Sequence, residues 1–246
     1  MKKYILAEHL KHKHTFLKTL VVIMPLIPVV MAFVLMPPYF SVNAYNWWYV
    51  ILLPATFALV PAMVHRRDER KLDYRAIFSL HIDLKKVWLA KVLVASVYLL
   101  FASAIHMTGV GILQSFLGSQ LTPNLGWDTL LFASGVLFFV NLWQVPLCLF
   151  LAKKFGLSAA VSINILLGAA FGVMFADTSM WLLCPYAWGA RLMVPILHLL
   201  PSGLVAEVGE PMIENTSIII PCALSLGIFI LLSGITARWF AAREVK

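Results

Sequence analysis

Few residues in this chain have a type and spacing that could do chemistry. His9, His12 and His14 cluster near the N-terminus. On a helix His9 and His12 are neighbours at i,i+3 and form a weak metal-binding pair, but no convincing carboxylate or cysteine completes a site. The plainer reading is polar side chains beside lipid phosphate. No Ser-His-Asp or Cys-His arrangement is readable. His106, Asn141, Gln144 and Asn164 stand inside long apolar stretches. Polar side chains in such places bond helix to helix or line a substrate path. Cys148, Cys184 and Cys222 include no CxxC pair; Cys184 and Cys222 are free to pair, with no spacing that requires it. No GxxxxGK[ST] phosphate loop occurs, so ATP-driven work must come from a separate chain.

The elements that hold these residues are apolar. The chain is 61% hydrophobic and 12% charged, with mean hydropathy +0.89. Soluble domains carry about 25% charged residues, so a soluble fold is excluded in practice. Formal charge is +8. It points to anionic lipid headgroups rather than nucleic acid, because the basic residues sit beside the apolar stretches. Eighteen of the nineteen Lys and Arg residues fall in four clusters, Lys2 to Lys18, Arg66 to Lys91, Lys153–Lys154 and Arg238 to Lys246; Arg191 is the exception. Cationic loops stay in the cytoplasm. Six apolar stretches between the clusters, each long enough for a ~30 Å hydrocarbon core, put both termini inside. A bacterial plasma membrane is the simplest location.

Residues 1–18 predict an interfacial amphipathic helix, with Ile5, Leu6, Leu10, Phe16 and Leu17 on the apolar face and Glu8, Lys11, His14 and Lys18 opposite. It lacks the cleavage pattern of a signal peptide. The six-span core is expected over 19–237 and a cytoplasmic tail over 238–246. The spans are Thr19 to Met36, Trp47 to Val64, Lys91 to Leu113, Thr129 to Ala152, Leu157 to Ala176 and Ser217 to Ala237. Residues 39–46 read as a short outer loop. Met180 to Leu200 is apolar but interrupted by Pro185, Gly189, Arg191 and Pro195. If it crossed, the C-terminal basic cluster would move outside. A re-entrant or interfacial hairpin on the outer face fits better.

The most informative stretch is Asp68 to Lys91. It exposes Ile77-Phe78-Ser79-Leu80-His81-Ile82 in an otherwise charged loop, the layout of a short docking helix between spans 2 and 3. Glu69, Ile77 to Leu80, Ile82 and Leu89-Ala90-Lys91 resemble the loop of ABC-2 type transporter permeases. Where that family usually has Gly-Thr, this chain has Asp73-Tyr74. Asn46 to Tyr49, Leu52-Leu53-Pro54, Lys71 to Ile77 and Leu84 to Trp88 are similar to a narrower group, the lantibiotic-immunity permeases of the mutacin and epidermin type.

That resemblance implies an all-α transmembrane domain over 1–246, serving as one permease subunit of a peptide-expelling ABC transporter. Glu69, Ile77, Phe78, Leu80, His81 and Ile82 would couple it to an ABC ATPase, in two copies, that holds ATP and Mg; this chain would bind no cofactor. A second six-span permease, or a second copy, would complete the channel. The segment from 177 to 216 carries Trp181, Tyr186 and Trp188 with Glu207, Glu210 and Glu214, an aromatic and acidic outer surface suited to cationic peptides. The alternatives are a permease for another amphipathic drug or lipid, and a non-transporting membrane enzyme or sensor scaffold. The ordinary reading of the acids is a solvated loop.

Overall fold

The computed structural model describes residues 1–72, 82–118, 124–207 and 209–242, and side chains throughout these except at 70–72. The helices are α1 (Lys2–Lys11), α2 (Phe16–Leu35), α3 (Phe40–Trp47), α4 (Leu53–Leu72), α5 (Leu84–Leu117), α6 (Trp127–Asn141), α7 (Gln144–Phe155), α8 (Leu157–Ala176), α9 (Ala187–Leu197), α10 (Pro211–Glu214) and α11 (Ile219–Ala241). No strand occurs among the described residues; one isolated antiparallel bridge joins Leu199 to Val205. Among the described residues five helical runs are long and apolar enough to cross a membrane, and six if α6 and α7 form one span bent by 45°. This is the architecture compatible with a multi-pass helical membrane protein.

Local chemistry sets the helix ends. Asp83 caps α5, its carboxylate accepting from the backbone N–H of Lys85 at 3.0 Å and Lys86 at 3.3 Å. Gly156, at φ +89°, makes the turn between α7 and α8, a backbone region that side chains with a Cβ disfavour. Pro54 has no N–H to return to the carbonyl four residues back, and the preceding turn, Trp48–Leu52, widens to a π turn. This turn joins α3 to α4, so residues 40–47 form a helix where a loop was expected. Its apolar neighbours explain the difference, because Phe40, Val42, Ala44 and Tyr45 are buried and need a packed face.

Two further boundaries shift. The N-terminal helix stops at Lys11 rather than residue 18, and the next helix begins at Phe16, before Thr19. The fourth expected span, Thr129 to Ala152, is interrupted at Leu142–Trp143. Helix α4 packs on α7 and α8, α5 takes α1 and α2 on one side and α11 on another, and α9 lies between α6 and α8. The large buried side chains Trp48, Phe57, Trp88 and Trp188 fill the spaces between these helices.

Candidate functional site

The sequence places one acid, Glu8, in its first 67 residues. The fold buries it. Glu8 is 2% exposed and meets Lys91, whose side chain is fully buried, at 2.7 Å. Lys91 also pairs with Asp68. Lys11 closes the ring, with Nζ 2.8 Å from Glu8 Oε2 and 3.0 Å from Asp68 Oδ2. Two cations and two anions alternate, drawn from α1, the end of α4 and the start of α5. His12, also buried, approaches Glu8 at 3.5 Å. Around this ring the phenol of Tyr4 accepts from the N–H of Asp83 at 3.3 Å, and His9 stacks on Tyr98 with ring centres 5.9 Å apart. Of the expected apolar face Leu6, Leu10 and Phe16 are exposed, but Ile5 is partly buried and Leu17 is buried, and Glu8 on the opposite face turns into the protein.

Burial alone would raise the pKa of Glu8. Lys91, the contact with His12 and Lys11 outweigh it and hold the carboxyl well below the usual range. Burial would lower the pKa of Lys11, but Glu8 and Asp68 raise it above the ordinary lysine value. The signs give a pH window. A depressed acid contributes stability above its unfolded pKa and loses it as pH falls through the folded one. A raised base contributes stability below its unfolded pKa and loses it as pH rises through the folded one. The contribution of Glu8 and Lys11 to docking of α1 should therefore be constant between the ordinary glutamate and lysine values of 4.5 and 10.5. Limited trypsin cleavage at the N-terminal lysines, run at graded pH in lipid nanodiscs and corrected for trypsin's own profile, checks this. Release of α1 near neutral pH would contradict it.

The ring joins the end of α4 to α5, the two helices that precede and follow residues 73–81 in the sequence. Ile77, Phe78, Leu80 and His81, with Asp73-Tyr74, lie outside the described residues. Glu69 is partly exposed and reaches His65 at 3.5 Å. Both line a polar cavity of about 150 Å³ with Ala62, Arg66, Leu157 and Ser158. Ile82 lines a second, mostly apolar cavity of about 170 Å³ with Tyr4, Ala7, Glu8, Lys11, Val87 and Ala90. The two described members of the expected coupling set thus flank the ring.

The residues expected on the outer face divide. Trp188 is buried and donates from its indole N–H to Leu182 O at 3.0 Å, so it packs within the 177–216 segment. Tyr186 is partly buried, and its hydroxyl donates to Asn164 Oδ1 at 2.8 Å. Trp181 is partly exposed beneath Arg191, whose guanidinium carbon lies 5.4 Å from the ring centre. Arg191 also donates to Ala176 O and Thr216 Oγ1, both at 3.0 Å, and so ties the two ends of the segment together. Glu207 and Glu214 are exposed, while Glu210 caps α10 at Met212 N. The three thiols are free. His106 is buried, stacked on Trp48 at 4.9 Å and bonded to Ala44 O at 3.2 Å. No group of three or more metal-binding side chains assembles among the described residues.

Sequence reasoning missed Glu8 and Lys91 as partners. The signal was present in a lone acid on an otherwise basic helix and a lysine at the mouth of an apolar one. No family model matches the chain, and no curated protein or solved structure is similar to it. The class is therefore set by the helices themselves, and function rests on the site.

Proposed function

We propose that the chain is a permease subunit of an ATP-driven transporter of the ABC-2 class, which expels cationic amphipathic peptides such as lantibiotics from the bacterial plasma membrane. Six spans cross, with α6 and α7 as one bent span. Both termini are cytoplasmic, α1 lies at the inner interface, and residues 177–216 form a hairpin on the outer face. Helix α9, with 11 residues, is about 16 Å long and too short to cross.

The observation that carries this reading is the ring of Glu8, Lys91, Asp68 and Lys11. It joins α1 to α4 and α5, the helices on either side of residues 73–81 in the sequence. A force applied to that segment by a closing ATPase dimer would reach both flanking spans at once. The chain has no phosphate loop, so ATP and Mg belong to the partner ATPase, and a second permease or second copy completes the assembly.

Co-purification tests it. The chain should recover an ATPase subunit, and ATP turnover should appear only in the complex. Burying one Leu or Phe side chain is worth roughly 1.5–3 kcal/mol. Phe78→Glu with Leu80→Glu should therefore release the ATPase while the chain still inserts. Full assembly of the double variant would refute the docking role, and tight ATP binding by the chain alone would refute the division of labour.

A further inference from the structure

We propose that the break at Leu142–Trp143 is a hinge, latched to the hairpin segment by a hydrogen-bond chain through Gln144, Asn164 and Tyr186. The backbone at the break is not held by the ordinary helical ladder. Pro146 has no N–H for the carbonyl of Leu142, which instead accepts from Val145 N at 3.0 Å. The N–H of Leu142 turns to Phe139 O at 3.3 Å, and that same oxygen accepts from Ser225 Oγ of α11 at 2.7 Å. The bend of 45° thus rests on tight three-residue bonds and on a side chain from another helix.

Side chains then run in one direction across the break. Tyr186 donates to Asn164 at 2.8 Å, and Asn164 Nδ2 donates to Gln144 Oε1 at 2.7 Å. Gln144 Nε2 donates to Asn141 Oδ1 at 2.6 Å, and Asn141 ends the chain on Leu137 O at 2.8 Å. Asn164 also holds Pro54 O at 2.8 Å. The chain begins on the residue that precedes α9 and ends on the far side of the bend.

Packing makes this chain stiff. A Cβ on Gly168 would lie 2.8 Å from Pro54 Cβ, and one on Gly172 would lie 3.3 Å from Tyr186 O. The hairpin is seated directly on α8, so displacing Tyr186 must displace Asn164. Trp143, at the bend itself, meets the Tyr186 ring edge-on at 4.8 Å. Its indole N–H is buried and has no hydrogen-bond partner among the described residues. An unsatisfied buried donor disfavours the arrangement that contains it. Releasing Tyr186 frees Trp143 to find a partner and frees α7 to swing. Movement at the outer hairpin is thereby converted into movement of the inner half of this span. The inference holds whatever cargo the protein carries.

Pulsed electron-paramagnetic distances in lipid nanodiscs test the hinge. The full chain is used, with Cys148, Cys184 and Cys222 replaced by Ala. One spin-label pair joins Phe155 at the end of α7 to Val97 on α5. A control pair joins Phe132 on α6 to Ile112 on α5; all four positions are exposed. The 12 residues of α7 form an arm of about 18 Å, so a partial loss of bend moves its end by several ångströms. The unsubstituted chain should give one distance for each pair. Tyr186→Phe, which removes only the hydroxyl, and Asn164→Leu should add a shifted population at Phe155–Val97 and leave the control unchanged. A Phe155–Val97 distance unchanged in both variants would overturn the latch. Equal broadening of both pairs would also overturn it, by showing a bundle that merely loosens.

Discussion

Replacing Lys91 with Met should destabilise the chain by roughly 3–5 kcal/mol, the usual cost of removing one partner from a buried ion pair. Lys91 is fully buried between Glu8 and Asp68, and its loss leaves two shielded carboxylates with, among the described residues, the ammonium of the part-exposed Lys11 as their lysine partner. Helix α1 should detach and become open to trypsin, with a lower unfolding temperature in nanodiscs. A triple variant, Glu8→Leu, Asp68→Leu and Lys91→Met, should recover much of the loss, because apolar residues of similar volume often replace a buried ion network without penalty. In that variant the helix ends remain packed but the ring's fixed geometry is gone. Normal stability of Lys91→Met alone would show that the ring does not hold α1.

The ring also marks the limit of what the sequence disclosed. Long apolar runs and basic clusters were legible, because hydropathy and charge are averages over many residues; helix α8 coincides with the expected Leu157 to Ala176. The sequence reading puts the polar face of residues 1–18 among lipid headgroups. Helical periodicity separates faces but says nothing of what covers them. Glu8 and Lys91 are 83 positions apart, and only the packing of α1 along α5 brings them together. Residues 39–46 read as a loop between Pro37-Pro38 and the aromatic run at Trp47, yet the widened turn before Pro54 lets the helix continue.

The polar residues inside the spans were half legible. Asn141, Gln144 and Asn164 were expected either to join helices or to line a path. All three hydrogen-bond within the bundle. The bend they bridge was not visible, because Pro146 alone does not distinguish a kink from an unbroken span. Tyr186 and Trp188 were grouped by aromatic type with Trp181. Type alone could not tell that one ring would reach Asn164 and another would be buried.

The proposed peptide-expelling role carries the second large expected effect. If residues 177–216 meet cationic peptides at the outer surface, neutralising Glu207, Glu210 and Glu214 together should lower protection modestly. The effect should be greater at low salt, because exposed charge chiefly governs encounter and is screened within ~8 Å at physiological ionic strength. Replacing Trp181 and Tyr186 should lower it further, since Trp181 holds Arg191 and Tyr186 anchors the hairpin on Asn164. None of these substitutions within 177–216 should abolish protection as completely as removal of the whole chain. The measurement that tests this most directly is a lantibiotic susceptibility assay on two strains. Both express the partner ATPase and second permease, and only one expresses this chain. The strain with the chain should survive peptide concentrations that kill the strain without it; equal killing of the two would contradict the peptide-expelling function.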